Sequence, residues 1–253
     1  MLDSHCHLTY PQLASQIDAV LARATEAGVT RMLTIGTSLD DAQRALALCQ
    51  RHPHIRCAAG IHPHHAAEAS EGWVQALRRI HEDPCVLAVG EMGLDYHYDF
   101  APRDRQRQVF MQQLELAREL GKPVIIHCRE ATDDCLAVLA DFSDIPAVFH
   151  CFTGSLDEAR RVLDRGYLIG LTGVVTFKRS EELREVAAFV PAERLLVETD
   201  APYLSPEPMR RQKVNEPALV VHTARALAVV RKQAMEHIDR LTTDNALRFY
   251  RWR

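Results

Sequence analysis

Short apolar runs alternate with longer segments of helical spacing along the whole chain of 253 residues. Eight such runs are present: MLDSH, RMLTIG, IRCAAGIH, VLAVGE, PVIIH, AVFH, YLIGL and RLLVETD. In the intervening segment RDRQRQVFMQQLELARELGK, apolar residues recur at steps of three and four, which predicts a helix. Gly121 and Pro123 predict where that helix ends.

This alternation favours an α/β fold with a parallel sheet built from βα units. Near-continuous apolar strands are typical of a sheet that is covered on both faces. Eight units in about 250 residues have the size of a (β/α)8 TIM barrel, which we therefore predict as a single domain spanning residues 1–253. An open doubly wound sheet is the alternative, but no Gly-x-Gly-x-x-Gly loop follows the first run.

Charge and cysteine content argue against several classes of protein. The net charge of -4 is unlike the broad basic surface that coats duplex nucleic acid. The seven cysteines include no Cys-x-x-Cys pair, which argues against a thiolate zinc site, and they are too few in so long a chain for a disulfide framework. Several fall in apolar runs, where we expect buried, reduced thiols. Met1 and Leu2 are followed directly by Asp3, so we expect no signal peptide here. No apolar run approaches the roughly 20 residues of a membrane span. We therefore expect a cytoplasmic protein without membrane association, and no obligate protein partner is evident.

Five of the eight runs lead into residue types that bind divalent metal ions. These residues are His5, His7, Glu91, His127, His150 and Asp200. In a barrel the carboxyl ends of the strands meet at one mouth, where catalytic residues lie. Because alternate residues of a strand point to the same face, His-x-His directs both imidazoles inward.

Each of these residues alone has a simpler explanation. A histidine at a strand end is often hydrogen-bonded within the core, and an acidic residue there often caps a helix. All six at strand ends instead indicate a metal site. Four imidazoles and two carboxylates are too many for one tetrahedral ion with an open position. They suit two ions that share a carboxylate, which would activate a water and stabilise both oxygens of a displacement.

Five stretches resemble motifs of the TatD family of metal-dependent hydrolases, within the amidohydrolase superfamily. LDSHCHL resembles its opening His-x-His motif, PVIIHCREATDD its central motif and PAERLLVETDAP its late Glu-Thr-Asp-x-Pro motif; GEMGLDY and FHCFTGS also follow its pattern. The resemblance extends from residue 2 to about residue 250. It implies a (β/α)8 barrel with divalent-cation-dependent hydrolase activity. Several members are deoxyribonucleases, including 3′→5′ exonucleases on single strands.

The resemblance also assigns the six predicted ligands to two divalent cations per chain. They are His5, His7 and Asp200 for the first ion, His127 and His150 for the second, and Glu91 as the bridge. Asp200 and Glu91 would be the catalytic residues, with Asp200 accepting the proton of the attacking water. Imidazole-rich ligation suits Zn, Mn, Co or Fe, and the family's nuclease activity is usually associated with Mg.

Arg129 is a candidate for substrate binding because it lies two residues beyond His127. Its planar guanidinium could hold a phosphate through two hydrogen bonds. An ion pair with Glu130 or Asp133 is the alternative.

His62 and Tyr203 are two further candidates for substrate contacts. His62 follows the third run at the predicted mouth. Tyr203 follows the eighth run and could stack on a base or pack its own loop. We expect His64 and His65 to be solvated loop residues.

Two positions depart from the TatD pattern. Thr9 stands where the family usually has Asp or Asn. The segment RRQKVNEP, residues 210–217, lacks the glycine of the family's Arg-Gly-Lys-x-Asn-x-Pro loop. Both lie near the predicted mouth, so they bear on substrate preference and not on the metal centre.

The sequence therefore predicts a metal-dependent hydrolase of the deoxyribonuclease type that cleaves phosphodiesters of DNA, in single strands or at 3′ ends. The same constellation on this fold can hydrolyse amides, lactones or phosphotriesters, and the fold alone does not decide between them. A non-catalytic metal-binding protein is a third alternative. The predicted open mouth argues against it, because structural metal sites are usually closed.

Overall fold

Each of the eight predicted runs forms a strand in the computed structural model of the chain, which describes residues 1–253. The strands are β1 (Leu2–Cys6), β2 (Arg31–Gly36), β3 (Ile55–Ala59), β4 (Val86–Asp95), β5 (Val124–Arg129), β6 (Ala147–Phe149), β7 (Leu168–Leu171) and β8 (Leu195–Val197). The helices are α1 (Pro11–Ala14), α2 (Ile17–Glu26), α3 (Leu39–Arg51), α4 (Trp73–Ile80), α5 (Arg103–Leu120), α6 (Thr132–Ala140), α7 (Leu156–Asp164), α8 (Glu181–Phe189), α9 (Val220–Arg231) and α10 (Met235–Phe249). A 3₁₀ helix, Pro63–Glu68, follows β3.

The strands follow one another in the sheet in the order of the sequence, and a helix follows each of them. β1 also lies beside the segment after β8, because Cys6 forms a parallel bridge with Ala201. An open doubly wound sheet has a reversal of strand order and does not bring its first and last strands together. The (β/α)8 prediction is therefore confirmed.

The strands are buried almost throughout their length, except for β5, whose last three residues are partly or fully exposed. This agrees with near-continuous apolar runs that are covered on both faces. Polar side chains within such strands need partners. In β1, for example, buried Asp3 accepts hydrogen bonds from the backbone and the hydroxyl of Thr199 at 2.9 and 2.6 Å.

The chain comprises two compact units. The first consists of residues 1–34 and 151–253 and contains β1, β7 and β8; the second consists of residues 35–150 and contains β3 to β6. Each unit contains three of the six predicted ligands. None of the helices combines the length and the apolar character that crossing a membrane requires. None of the seven cysteines forms a disulfide; four of them are buried and three are half-buried.

α5 has the predicted bounds, and Gly121 ends it in a left-handed conformation with a φ of 62°. Its inner face also buries two glutamines, Gln106 and Gln113. The Gln113 amide accepts from the backbone N–H of Ile61 at 2.7 Å and donates to its carbonyl at 3.0 Å. Gln106 makes the same pair of bonds with Asp95, at 2.9 and 3.1 Å. α5 thus holds the backbone just beyond β3 and at the end of β4.

Candidate metal centre

The first unit brings His5 and His7, at the end of β1, together with Asp200, just beyond β8. The distance from Asp200 Oδ1 is 3.2 Å to His7 Nε2 and 3.7 Å to His5 Nε2. One ligand atom from each of the three residues lies within 4.8 Å of the other two. Both histidines are buried, whereas the Asp200 side chain is 13% exposed, so solvent reaches this group at the carboxylate.

Backbone hydrogen bonds fix this first group. The Asp200 N–H donates to the carbonyl of His5 at 2.9 Å, and the His7 N–H donates to the carbonyl of Ala201 at 2.7 Å. Asp200 has a left-handed backbone with a φ of 55°. Such a conformation persists at a non-glycine residue only where the surrounding structure holds it. Pairing with β1 therefore determines where the Asp200 carboxylate lies.

The second unit brings together Glu91 of β4, His127 of β5 and His150 beyond β6. Glu91 Oε1 lies 2.8 Å from His127 Nδ1 and 2.6 Å from His150 Nε2, and the two nitrogens are 3.4 Å apart. Burial opposes the ionisation of Glu91, but the nearby imidazoles of His150 and His62 and the hydrogen bond with His127 hold the pKa of Glu91 well below its usual range. Glu91 is therefore a carboxylate at neutral pH, the form that binds a cation.

β4 and β5 approach each other closely at this second group. Gly93 is the register partner of His127 and has a φ of 139°. A Cβ atom on Gly93 would lie 2.0 Å from the carbonyl oxygen of His127. Glycine is required both by this contact and by the backbone angle. The second glycine of GEMGLDY thus allows the strands of Glu91 and His127 to lie side by side.

Asp95, the last residue of β4, orients His127. Asp95 Oδ2 lies 3.0 Å from His127 Nε2 and 2.9 Å from His64 Nε2. Burial opposes the ionisation of Asp95, but these two hydrogen bonds and one from the Tyr98 N–H hold its pKa well below its usual range. A carboxylate at Nε2 keeps a proton on that nitrogen and directs Nδ1 toward Glu91, as in carboxylate–histidine–metal arrangements. Burial lowers the pKa of His127, but Asp95 and Glu91 outweigh it and raise the value.

His62 is buried beside the second group, with Nε2 3.3 Å from Glu91 Oε1. The backbone N–H of His64 donates to His62 Nδ1 at 3.1 Å, which places the ring proton on Nε2. Burial lowers the pKa of His62 to about 3, so the ring is neutral at physiological pH. His62 is thus an N–H donor beside this group, and it also lies with His64 and His127 in a cluster of imidazoles whose ligand atoms are within 4.8 Å of one another. Its role as a substrate contact stays a prediction.

The prediction that His64 is a solvated loop residue is wrong. Its side chain is 26% exposed and hydrogen-bonded to Asp95. His64 lies in the 3₁₀ helix after β3, and its ring contacts Asp95 at the end of β4. Asp95 is 31 residues away in the sequence, so local spacing does not indicate this contact. His65 is more exposed and pairs with Glu68 at 3.1 Å.

Arg129 is exposed at the end of β5, with its guanidinium carbon 5.5 Å from the ring centre of Tyr98. Glu130, one of the two acidic residues considered as its ion-pair partner, instead contacts His97 at 2.8 Å. The Arg129 guanidinium therefore faces an aromatic ring, and its binding of a phosphate stays a prediction.

Tyr203 is 49% exposed, and its ring centre lies 6.2 Å from that of His7, nearly edge-on. In the segment 210–217, the amide of Asn215 donates to the carbonyl of Tyr203 at 2.6 Å and to that of Thr199 at 3.0 Å. The altered loop therefore supports the loop that carries Asp200 and Tyr203. The roles of Tyr203 and of this segment in substrate choice stay predictions.

Both ligand groups fit divalent metal ions by the chemistry of their donors. Each combines imidazole nitrogens with a buried or half-buried carboxylate, the donor set of divalent first-row ions. In the second group the other ring nitrogen of His127 already has its carboxylate partner, a feature typical of metal-binding histidines.

Asp95 was not among the predicted site residues, because the fourth apolar run was expected to end at Glu91. The strand in fact continues to Asp95. The signal was present in GEMGLDY, since Asp95 lies four positions after Glu91, and residues at even spacing along a strand point to the same face. Met92, Gly93 and Leu94, which lie between them, all belong to the strand.

Comparison with known proteins identifies the family. The model of the TatD related DNase family matches residues 2–251. The uncharacterized metal-dependent hydrolase YcfH of Escherichia coli (strain K12) is 39% identical, over 99% of this chain and 95% of that protein. The 3'-5' ssDNA/RNA exonuclease TatD of Salmonella typhimurium (strain LT2) is 40% identical, over 97% of both chains.

Among solved structures, YJJV, a TatD homologue from Escherichia coli K12, superposes with a TM-score of 0.94 at 30% identity. The alignment covers 100% of this chain and 98% of that one. With two ligand groups at the ends of parallel strands and matches along its whole length, the chain belongs to the family of TatD-related DNases and is a metal-dependent hydrolase of that family.

Proposed function

We propose that the chain is a divalent-metal-dependent 3′→5′ exonuclease that hydrolyses the phosphodiesters of single-stranded DNA. The observation that supports it most directly is the pair of ligand groups, which account for all six residues expected to hold two cations. The Salmonella relative named for exonuclease activity on ssDNA and RNA supports the substrate class.

Two divalent ions, when bound, would lower the pKa of a water and offset negative charge on phosphoryl oxygens. Asp200 accepts the proton of the attacking water, because its carboxylate is the member of the first group that solvent reaches. Glu91 stays ionised and holds cations. Its expected position as a bridge between both ions stays a prediction of the family resemblance.

His62 and Arg129 bind the substrate in this proposal. The Nε2–H of His62 donates to a phosphoryl oxygen, and the neutral ring adds no positive charge that would repel a cation. The exposed guanidinium of Arg129 holds a neighbouring phosphate. Because the cations supply much of the positive charge, a chain with a net charge of -4 can bind an anionic strand.

A metal-supplemented assay tests this proposal against the alternatives. Single-stranded DNA labelled at its 5′ end, the matching duplex and a lactone are each incubated with metal-loaded protein. We expect a ladder that shortens from the 3′ end of the single strand, and an intact lactone. Turnover of the lactone alone would instead support an amide, lactone or phosphotriester hydrolase. Bound metal without turnover of any substrate would support a metal-binding protein.

Elemental analysis of the same metal-loaded protein tests the metal number. We expect two divalent ions per chain, and mainly the second ion should be lost in His127→Ala. A parent that never binds more than one ion would refute the two-ion model.

The cytoplasmic location and the absence of an obligate protein partner stay predictions.

A further inference from the structure

Two aromatic side chains outside the ligand groups are exposed side by side in the second unit. Tyr98 is 50% exposed and Phe100 is 65% exposed. Their rings stack with centres 5.4 Å apart and planes within 11° of parallel. Exposed apolar side chains that form a continuous patch often mark a binding site, whereas isolated ones are common on any surface.

The two rings lie next to the second ligand group. The ring of His64 stands edge-on to both, with its centre 5.5 Å from Tyr98 and 4.7 Å from Phe100. His64 shares the Asp95 carboxylate with His127. One imidazole and one carboxylate thus separate the exposed rings from a predicted metal ligand.

The loop that carries the rings is fixed at both ends. Asp95 Oδ1 accepts from the backbone N–H groups of His97 and Tyr98, each at 3.0 Å. The Gln106 amide donates to the carbonyl of Asp95 at 3.1 Å and to that of Ala101 at 2.9 Å. The same carboxylate that orients His127 therefore also sets the position of the rings, so little ordering is needed before a ligand binds.

Charged groups surround the two rings. The Arg129 guanidinium lies over Tyr98. Asp99 pairs with Arg103 at 3.3 Å, and His97 pairs with Glu130 at 2.8 Å. A patch of two rings within a charged rim is far smaller than the roughly 800 Å² per partner of a stable protein interface. It matches one planar, apolar face with an anion beside it, which is the chemistry of a nucleotide.

We propose that Tyr98 and Phe100 form a stacking platform for a nucleobase of the bound single strand, beside a phosphate held by Arg129. This inference rests on the proposed nuclease function and names the part of the protein that recognises bases. Stacking depends on the π face that all bases share, so the platform accepts any base sequence. It requires an unpaired base, which selects single strands over duplexes.

The test compares the parent with a Tyr98→Ala/Phe100→Ala double variant. Binding of a fluorescent single-stranded oligonucleotide with uncleavable linkages is measured by anisotropy, and KM is measured with the cleavable form. If the rings stack on a base, the double variant should bind the oligonucleotide about 10–100-fold more weakly than the parent, and its KM should rise by a similar factor. On an oligonucleotide with abasic residues near its 3′ end, the two proteins should differ by less than about twofold. The Tyr98→Phe variant should retain the parent's affinity because it keeps the ring.

Phe189→Ala is the matched control, since Phe189 is a 44% exposed aromatic residue at the end of α8 in the other unit. It should bind both oligonucleotides as the parent does. Equal affinity of parent and double variant for the normal oligonucleotide would overturn the proposal. An equal loss of affinity for the abasic oligonucleotide would also overturn the proposal. The rings would then affect the shape of the metal centre and not contact a base. Binding is read without turnover, so a parent that binds but does not cleave contradicts the nuclease function alone.

Discussion

At the scale of the single residue, Asp95 has the most consequences for the candidate site. One oxygen contacts His127 and His64, and the other accepts two backbone N–H groups of the following loop. Both carboxylate oxygens thus accept hydrogen bonds, and the negative charge strengthens those from the two imidazole N–H groups.

We predict that Asp95→Asn weakens metal binding at the second group by about 10–100-fold, the usual effect of losing a carboxylate that orients a ligand. Asn retains one acceptor for the backbone bonds, so the loop keeps its shape. Metal titration by calorimetry measures the affinity, and circular dichroism verifies the fold. Unchanged affinity for both ions would show that Asp95 has only a structural role.

We predict that Asp200→Asn reduces turnover on single-stranded DNA by a factor on the order of 10²–10⁴, the contribution of a positioned general base. Asn keeps the shape and one oxygen but cannot accept a proton. The second ion should remain bound, since its ligands are unchanged. Turnover is measured against metal concentration. Full recovery at high metal would mean that Asp200 is a ligand only and that another residue is the base.

His81 supplies a prediction about pH. It is buried, its Nε2–H donates to the Ala59 carbonyl at 3.0 Å, and Nδ1 faces Lys122 Nζ at 3.4 Å. Burial, followed by the positive charge of Lys122, lowers the pKa of His81 to about 3. Between about pH 6.5 and 3 the unfolded imidazole binds a proton that the folded one does not. Stability is therefore fully present above pH 6.5 and is lost as the pH falls toward 3.

We predict that His81→Gln, which retains a donor and an acceptor but does not titrate, has a flatter pH dependence of stability. From pH 6.5 to 4.5 the parent should lose about 2–3 kcal/mol more than the variant in the free energy of unfolding. Urea denaturation at several pH values provides the measurement, and every other titrating group contributes equally to both proteins. Parallel curves would show that His81 titrates normally in the folded chain.

At the scale of the element, α5 positions the ends of two strands through glutamine side chains. Gln113 pairs with both backbone groups of Ile61, directly before His62, and Gln106 does so at Asp95. Helix and strand ends are thus joined by hydrogen bonds as well as by apolar packing. The candidate site depends on this helix even though no residue of α5 belongs to either ligand group.

We predict that Gln113→Leu lowers the free energy of unfolding by about 2–4 kcal/mol, because it leaves a buried N–H and a buried C=O without partners. Gln112→Leu on the same helix is the control, since the Gln112 side-chain oxygen is buried without a hydrogen bond and its loss costs little. Denaturant unfolding of both variants measures the difference. Equal stability of the two would show that Gln113 acts only through its volume.

At the scale of the whole molecule, binding of metal ions should stabilise the folded chain, because it needs residues that are far apart in the sequence. His5 and His7 lie near its start, Asp200 lies toward its end, and the other three predicted ligands lie in its middle. The unfolded chain does not hold these residues together. A ligand that binds only the folded state at 100 times its Kd stabilises it by about 2.7 kcal/mol.

We predict that chelation lowers the Tm of the metal-loaded protein by about 5–10 °C for one such site. His150→Ala should show a smaller shift, because it lacks a ligand of the second ion. Scanning calorimetry with and without chelator gives the values. A Tm that does not respond to metal or chelator would contradict the assignment of the six residues as ligands.

The sequence alone located the eight strands, although it ended β4 too early, and it named the six residues that we predict as ligands. These elements are predicted from local signals, namely apolar runs, helical spacing and helix-ending residues such as Gly121. Each signal extends over only a few residues, so it can be recognised in a single sequence. His-x-His at the end of β1 is equally local. The tertiary structure decided which polar residues are buried and what they contact. The apolar spacing of its helix says nothing about Gln113, and His64 was predicted to lie in a solvated loop. Their partners lie 52 and 31 residues away, and only packing brings such groups together.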